Sequence, residues 1–239
     1  MIGIVVPSRT HELLNTLLGS IRRSEGVFPL VVVGDNGLHL QHVEAFGSFL
    51  IVPIPDPFCF ANAINTCVAI LPSNLDILVL NDDTKILTEG FLEKCKFALA
   101  SFPSFGILSP IIAGGCGNPD QTGAVPAGTV LETSKTICFV ASLIRRTAWD
   151  QVGHLDERFV GYGWDDDDYC LRVKKMGWKT GVFGEVVVEH GGMGRTMSTT
   201  YHRIFTREQQ VENSKMNRRV FLKKWGFLPD ERHHIGLDE

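Results

Sequence analysis

Through the first 110 residues, short β-branched and apolar runs alternate with longer segments whose apolar positions recur every three or four residues. The short runs at 2–6, 30–33, 49–54, 77–80 and 106–108 predict strands. Between them, segment 11–23 puts Leu13, Leu14, Leu17, Leu18 and Ile21 on one helical face. Segment 60–71 does the same with Phe60, Ile64, Cys67, Val68 and Leu71. Each stripe is a core face, and strands that feed crossover helices predict an α/β chain built on a mostly parallel sheet.

From 112 to 128 the sequence turns rich in Gly, Pro and Asn, which predicts a long loop or an edge hairpin. Order returns over 137–145. Further on, 165–176 predicts a helix, 179–183 and 185–190 two short strands, and 207–225 a terminal helix. With 44% hydrophobic residues in 239, the core needs no staples, so the chain makes one large domain or two small ones. The start lacks the basic flank and apolar stretch of a signal peptide, and no apolar run approaches the roughly 18 residues of a membrane span. A cytoplasmic protein is expected, with peripheral contact at the membrane face left open.

Charge refines this picture. Lys and Arg total 23 against 27 Asp and Glu, and the net −4 argues against a nucleic-acid partner. The acid is not spread evenly: over 196–224, seven basic residues against Glu208 and Glu212 leave a local charge of +5. That stretch is either a solvated helix face or a patch that meets phosphates of a donor, a lipid-linked acceptor or a membrane. Six cysteines, Cys59, Cys67, Cys95, Cys116, Cys138 and Cys170, show no CxxC pair and mostly sit in apolar runs. They read as small buried hydrophobes of a reducing compartment.

The chain has no GxxxxGK[ST], no GxGxxG after a strand, no GxSxG and no HExxH, which argues against P-loop hydrolysis and serine hydrolysis. Two carboxylate clusters and one histidine remain. Asn81-Asp82-Asp83-Thr84 follows an apolar strand, at the sheet edge where open α/β folds bind ligands. Its carboxylates are hard oxygen donors suited to Mg²⁺ or Mn²⁺, or alternatively a turn and cap before the next element. Trp164-Asp165-Asp166-Asp167-Asp168-Tyr169 opens the helix at 165–176, with more negative charge than capping requires. Helical spacing puts Asp165 and Asp168 on one face, with Asp166 and Asp167 elsewhere. Mutual repulsion is expected to raise at least one pKa toward the range of a general base. His190 ends a strand and precedes the glycine-rich run containing Arg195.

Taken in order, these pieces resemble the inverting glycosyltransferase family two. Val5-Val6-Pro7-Ser8-Arg9-Thr10 resembles its opening strand and nucleotide loop. Val33-Gly34-Asp35-Asn36-Gly37 resembles its second strand ending in aspartate. Phe60-Ala61-Asn62-Ala63-Ile64-Asn65 resembles the helix start before the metal motif, and Leu80-Asn81-Asp82-Asp83-Thr84 the metal motif itself. Val152-Gly153-His154-Leu155-Asp156-Glu157-Arg158-Phe159 resembles the segment before the acceptor site. Residues 165–172 resemble its Glu-Asp-x-Asp-x-x-x-Arg block, and Asn217-Arg218-Arg219 with Phe221-Leu222-Lys223-Lys224-Trp225-Gly226 a frequent ending.

The resemblance implies a GT-A fold: a single Rossmann-like domain over 1–200, with 201–239 as a helical extension packed on it. It implies a divalent metal at Asp83, with Asp82 on the metal or the donor ribose and His190 as a further ligand. Pro7, Ser8, Arg9, Asp35, Asn62 and Arg195 would meet a UDP-, GDP- or dTDP-sugar. Asp166 would be the base, with Asp165 beside it. Asp165 stands where glutamate is usual and Trp164 where glycine is usual, so the register across Asp165, Asp166 and Asp167 stays open here. Trp164 and Tyr162 would stack on an acceptor sugar ring, or else pack in the core. The implied activity is single displacement of a sugar onto a glycan or lipid-linked acceptor, as in polysaccharide biosynthesis. A sugar-phosphate nucleotidyltransferase and an inactive carbohydrate-binding protein on the same fold are the alternatives.

Overall fold

A computed structural model of the chain describes residues 1–25, 29–38, 49–114, 117–191 and 204–229. The elements run β1 (Ile2–Ser8), α1 (His11–Glu25), β2 (Val31–Asp35), β3 (Phe49–Pro53), α2 (Phe60–Ile70), β4 (Asp76–Leu80) and β5 (Thr84–Ile86). They continue with α3 (Phe91–Ser101), β6 (Phe105–Gly114), β7 (Val130–Glu132), β8 (Ala141–Ile144), α4 (Arg146–Val152), α5 (Asp165–Lys175), β9 (Lys179–His190) and α6 (Arg207–Trp225).

The strands form one sheet in the order β3-β2-β1-β4-β8-β6-β9-β5, with β7 also paired to β9. Pairings β1–β2, β1–β4, β2–β3 and β6–β9 are parallel, so six of the nine strands point one way while β5, β7 and β8 oppose them. This is the mixed, mostly parallel sheet expected from the alternation of runs. Because successive side chains on a strand face opposite ways, the central strands feed two cores. Ile4, Val6, Val31, Val33, Leu78 and Leu80 pack with α1 and α3 on one face. Val5, Val32, Ile77 and Val79 pack with α2, α4 and α5 on the other. Burying the side chains of both faces accounts for the nearly unbroken apolar runs.

Several elements differ from the sequence reading. The strand expected at 106–108 extends to Gly114, because Ile111 and Ile112 continue the ladder with β9 before the Gly-rich stretch interrupts it. The two strands expected at 179–183 and 185–190 are one, β9, whose partner register jumps from Phe183 to Val187 opposite consecutive residues Pro110 and Ile111. The three residues between bulge out, and a Cβ on Gly184 would lie 2.3 Å from the Pro126 carbonyl oxygen. Helix α4 and strands β5 and β7 are too short to be read from sequence; α3 is also absent from the sequence reading, although Phe91, Leu92, Cys95, Ala98 and Leu99 recur at helical spacing.

Cys67, Cys95 and Cys170 are buried in the cores, in keeping with small hydrophobes, and burial pushes the Cys67 thiol up to about 12. Cys116 lies outside the described residues. Among the described residues no helix is long and apolar enough to cross a membrane.

Candidate active site

The carboxyl ends of β1, β2 and β4, the end of β9 and the start of α5 supply the candidate groups. Ser8 is buried at the end of β1, and its hydroxyl donates to Asp82 Oδ2 at 2.7 Å. Asp82 is therefore aimed back at the β1 loop. Asp83 turns toward β9, where His190 Nε2 stands 3.2 Å from its Oδ1. The antiparallel register of β5 and β9, which pairs Thr84 with His190, sets this approach. Gly114 makes room for it: a Cβ there would lie 2.4 Å from the His190 carbonyl oxygen.

Asp83 and His190 fit a divalent cation. Asp83 Oδ1 is buried without a regular hydrogen bond among the described residues, and so is Asn81 Oδ1 two residues earlier. The 3.2 Å separation of Asp83 and His190 would let both side chains hold one ion. Among the described residues, no group of three or more His, Cys, Asp or Glu is gathered for a metal.

The β1 loop is organised by a polar network. Arg9 donates to Asn36 Oδ1 at 2.7 Å and to Asp56 Oδ1 at 2.9 Å. Asn36 in turn donates to the Ile54 carbonyl, and Asp35 Oδ1 accepts the Leu38 N–H at 2.6 Å. Pro7 is buried inside β1, in register with Gly34 of β2. Arg195 lies outside the described residues.

The acidic block divides by role. Asp168 is fully buried and structural: it accepts from Arg172 at 2.9 Å, Lys224 at 2.7 Å and the Trp225 indole at 2.9 Å. Asp167 accepts from the Thr136 hydroxyl. Asp165 is buried with its Oδ2 unpartnered among the described residues, while Asp166 is half-buried. Asp166 and Asp167 thus both turn to the loop at 136–139 while Asp168 turns to α6, in keeping with the split of faces expected from helical spacing. Burial pushes the Asp165 carboxyl up to about 7, with the Asp167 charge adding to it. Asp166 is also raised well above the ordinary value, first by burial and then by Asp167 and Asp165. Repulsion was the expected cause; loss of water is the larger one.

Asp166 connects to the turn at Asn81–Asp83 through a short backbone path. Its Oδ2 accepts the Phe139 N–H at 3.4 Å, and the carbonyl of the next residue, Val140, accepts the Asn81 N–H at 2.9 Å. The two carboxylate clusters, far apart in sequence, therefore flank Phe139 and Val140, the two residues leading into β8.

The other candidates are engaged within the protein. Asn62 and Asn65 on α2 donate to the Glu157 carboxylate at 3.2 and 2.8 Å, and Asn65 also brackets Leu155 through its backbone N–H and carbonyl. Trp164 is 4% exposed and packs on Phe221, the core side of its two readings. Tyr162 stacks on Phe58 at 4.9 Å and remains half-buried. Asp56 carries no signal in the sequence, whereas Asn36 and Glu157 stand inside the motif runs named above without a role of their own. Asn65 was quoted without a role, although a lone amide inside an apolar helix stripe marks a group that needs a buried partner.

This architecture, with carboxylates at the end of β4 and at the start of a helix beyond β8, is the GT-A fold. The mannosyltransferase PcManGT from Pyrobaculum calidifontis, in complex with GDP-Man and Mn²⁺, superposes with a TM-score of 0.63 at 16% identity over 93% of this chain and 64% of its own. GalNAc-T7 with UDP, GalNAc and Mn²⁺ gives 0.65 at 10% identity over 99% of this chain and 53% of that one. TarS residues 1–349 from S. aureus gives 0.59 at 14% identity over 90% and 64%. The chain thus spans about half to two thirds of these structures. At the sequence level it is 24% identical, over an alignment of 212 residues, to the uncharacterized protein y4gI of Sinorhizobium fredii (strain NBRC 101917 / NGR234). That alignment covers 74% of this chain and 23% of the relative. No profile of a known protein family matches the chain.

Proposed function

We propose that this chain is the catalytic domain of an inverting, divalent-metal-dependent glycosyltransferase. It would move a sugar from a nucleotide-diphosphate sugar to a hydroxyl of a glycan or lipid-linked glycan. The observation that carries this reading is the Asp83–His190 pair, 3.2 Å apart at the end of β4, with Asp166 one backbone segment away. The solved neighbours with UDP or GDP-Man and Mn²⁺ support the same use of the fold.

A cation between Asp83 and His190 would supply positive charge to the leaving diphosphate. The chain's own residues do the rest. Ser8 fixes Asp82 toward the β1 loop, where it can meet the donor ribose. Arg9, braced by Asn36 and Asp56, lines the nucleotide side with Pro7 and Asp35. Asp166 takes the proton from the acceptor hydroxyl as that oxygen attacks the anomeric carbon from the face opposite the leaving group. A carboxyl raised by burial holds that proton better than an ordinary aspartate, and Asp165 beside it shares the raised environment. Arg195 is assigned to the diphosphate, and Tyr162 to the acceptor.

A thermal-shift panel of UDP-, GDP- and dTDP-sugars with and without Mn²⁺ tests the reading. The correct donor raises stability by RT ln(1 + [L]/Kd), about 2.7 kcal/mol at a hundredfold excess. No shift with any donor and Mn²⁺ counts against transfer and favours a binding protein without turnover. Pyrophosphate release from a sugar phosphate and nucleoside triphosphate would favour the nucleotidyltransferase.

A further inference from the structure

Helix α6 grips the segment that delivers the acidic block. Asn217 is fully buried, and its Oδ1 accepts the Val160 N–H at 2.8 Å. Its Nδ2 faces three carbonyls, of Val160 at 2.9 Å, Gly163 at 3.0 Å and Tyr162 at 3.4 Å. One side chain thus satisfies backbone groups on both sides of an irregular turn. One turn before it, Asn213 closes on Gly161, where a Cβ would lie 2.7 Å from its Nδ2. One turn after it, Phe221 packs on Trp164 with ring centroids 5.5 Å apart, and beyond it Lys224 and Trp225 reach Asp168. These positions recur at helical spacing, so a single face of α6 holds residues 159–168.

The held turn is not one a chain adopts unaided. Gly161, Gly163 and Trp164 have φ of 64°, 94° and 72°. For tryptophan the left-handed region is strained and persists only where surrounding contacts fix it. Trp164 is the residue immediately before Asp165, so its dihedrals aim the first turn of α5.

We propose that Asn217 is a positioning residue. By clamping the backbone of residues 160–163 it holds Trp164 left-handed and so sets where the Asp165 and Asp166 carboxylates point. The role of those carboxylates in transfer rests on the glycosyltransferase reading above; the clamp itself does not.

The test compares Asn217→Ala, Asn217→Asp and Asn217→Gln with Leu99→Ala, a core variant on α3 across the sheet matched for loss of melting temperature. For Asn217→Ala, kcat is expected to fall at least tenfold while KM for the nucleotide sugar stays within twofold. Amide exchange of residues 161–166 quickens in the same variant. Asn217→Asp keeps the acceptor for the Val160 N–H but sets an oxygen against the Val160, Tyr162 and Gly163 carbonyls, so it is expected to fall at least as far as Asn217→Ala; Asn217→Gln, which keeps the amide one methylene further out, is expected to lose less and serves alone where neither folds. Leu99→Ala leaves kcat and exchange at 161–166 unchanged. Asn217→Ala or Asn217→Asp behaving like Leu99→Ala overturns the proposal, as does Asn217→Gln where it stands alone. If wild type turns over no donor, the transfer reading fails and exchange at 161–166 decides the clamp: unchanged protection overturns it.

Discussion

His190 Nε2 stands 3.2 Å from Asp83 Oδ1, brought there by the antiparallel register of β5 and β9. The pair joins the end of β9 to the turn after β4, and its spacing suits two ligands of one cation. Asp83→Ala and His190→Ala are each expected to weaken Mn²⁺-dependent binding of the nucleotide sugar by at least tenfold in calorimetry. Affinity in the absence of metal should change little. A His190→Ala protein that retains full metal-dependent affinity removes histidine from the site.

Asp166→Asn retains an oxygen for the Phe139 N–H but cannot accept a proton. Loss of a general base typically costs 10²–10⁴ in rate. Transfer should therefore fall by at least a hundredfold with donor affinity unchanged, measured by product formation and calorimetry on one preparation. Undiminished turnover transfers the base role to another residue of the block.

Stability should depend on pH through Asp165. Burial, with Asp167 adding to it, raises its folded-state pKa from 3.8 to about 7, so the folded protein binds this proton more tightly than the unfolded chain. The resulting stabilisation is full below the unfolded value and lost as pH rises through 7. The metal-free melting temperature is expected to fall between about pH 5 and 7 and to level off above that, at roughly 2–4 °C per kcal/mol for a domain of this size. Asp165→Asn should flatten that slope and exceed wild type at pH 8. An identical slope in the variant rules out Asp165 as its source.

The opposite limb lies at acid pH. Hydrogen bonding from Arg158, with Lys224 adding to it, holds the Asp156 carboxyl well below the usual range. Its contribution is present above the ordinary carboxylate pKa and is lost as pH falls through the folded value. Lys224→Met should reduce the acid loss of stability seen in urea titrations between pH 5 and 3.

Asp168 tests whether α6 is fastened by charge. It is fully buried between Arg172, Lys224 and the Trp225 indole. Asp168→Ala leaves two cations facing a cavity, and breaking a buried pair in this way costs about 3–5 kcal/mol. A urea midpoint unchanged from wild type would show that packing alone holds the helix.

The basic character of the C-terminal stretch shows how far sequence reading reaches. Charge counting set its local excess at +5, with a solvated face and a phosphate patch as the two readings. Lys224 fits neither, since it is turned inward between Asp156 and Asp168. Arg218, Arg219 and Lys223 remain on the exposed face of α6. Counting charges cannot show which of them meets a buried carboxylate on another element.

The sequence by itself determined the layered α/β plan, because runs buried on both faces and helices with one apolar stripe leave few other arrangements. It also placed Asp82 and Asp83 at a strand's carboxyl end and four aspartates at a helix start, since both are local features. Only the tertiary structure decided which carboxylates are free to act. Asp168 is consumed by α6, Asp167 is held by Thr136, and Asp82 is turned to Ser8, leaving Asp83 facing His190 and Asp165 and Asp166 raised in pKa. Those assignments depend on burial and on partners distant along the chain, 74 residues apart for the Ser8–Asp82 bond. Burial and long-range pairing arise only once the sheet and its helices have closed around the site.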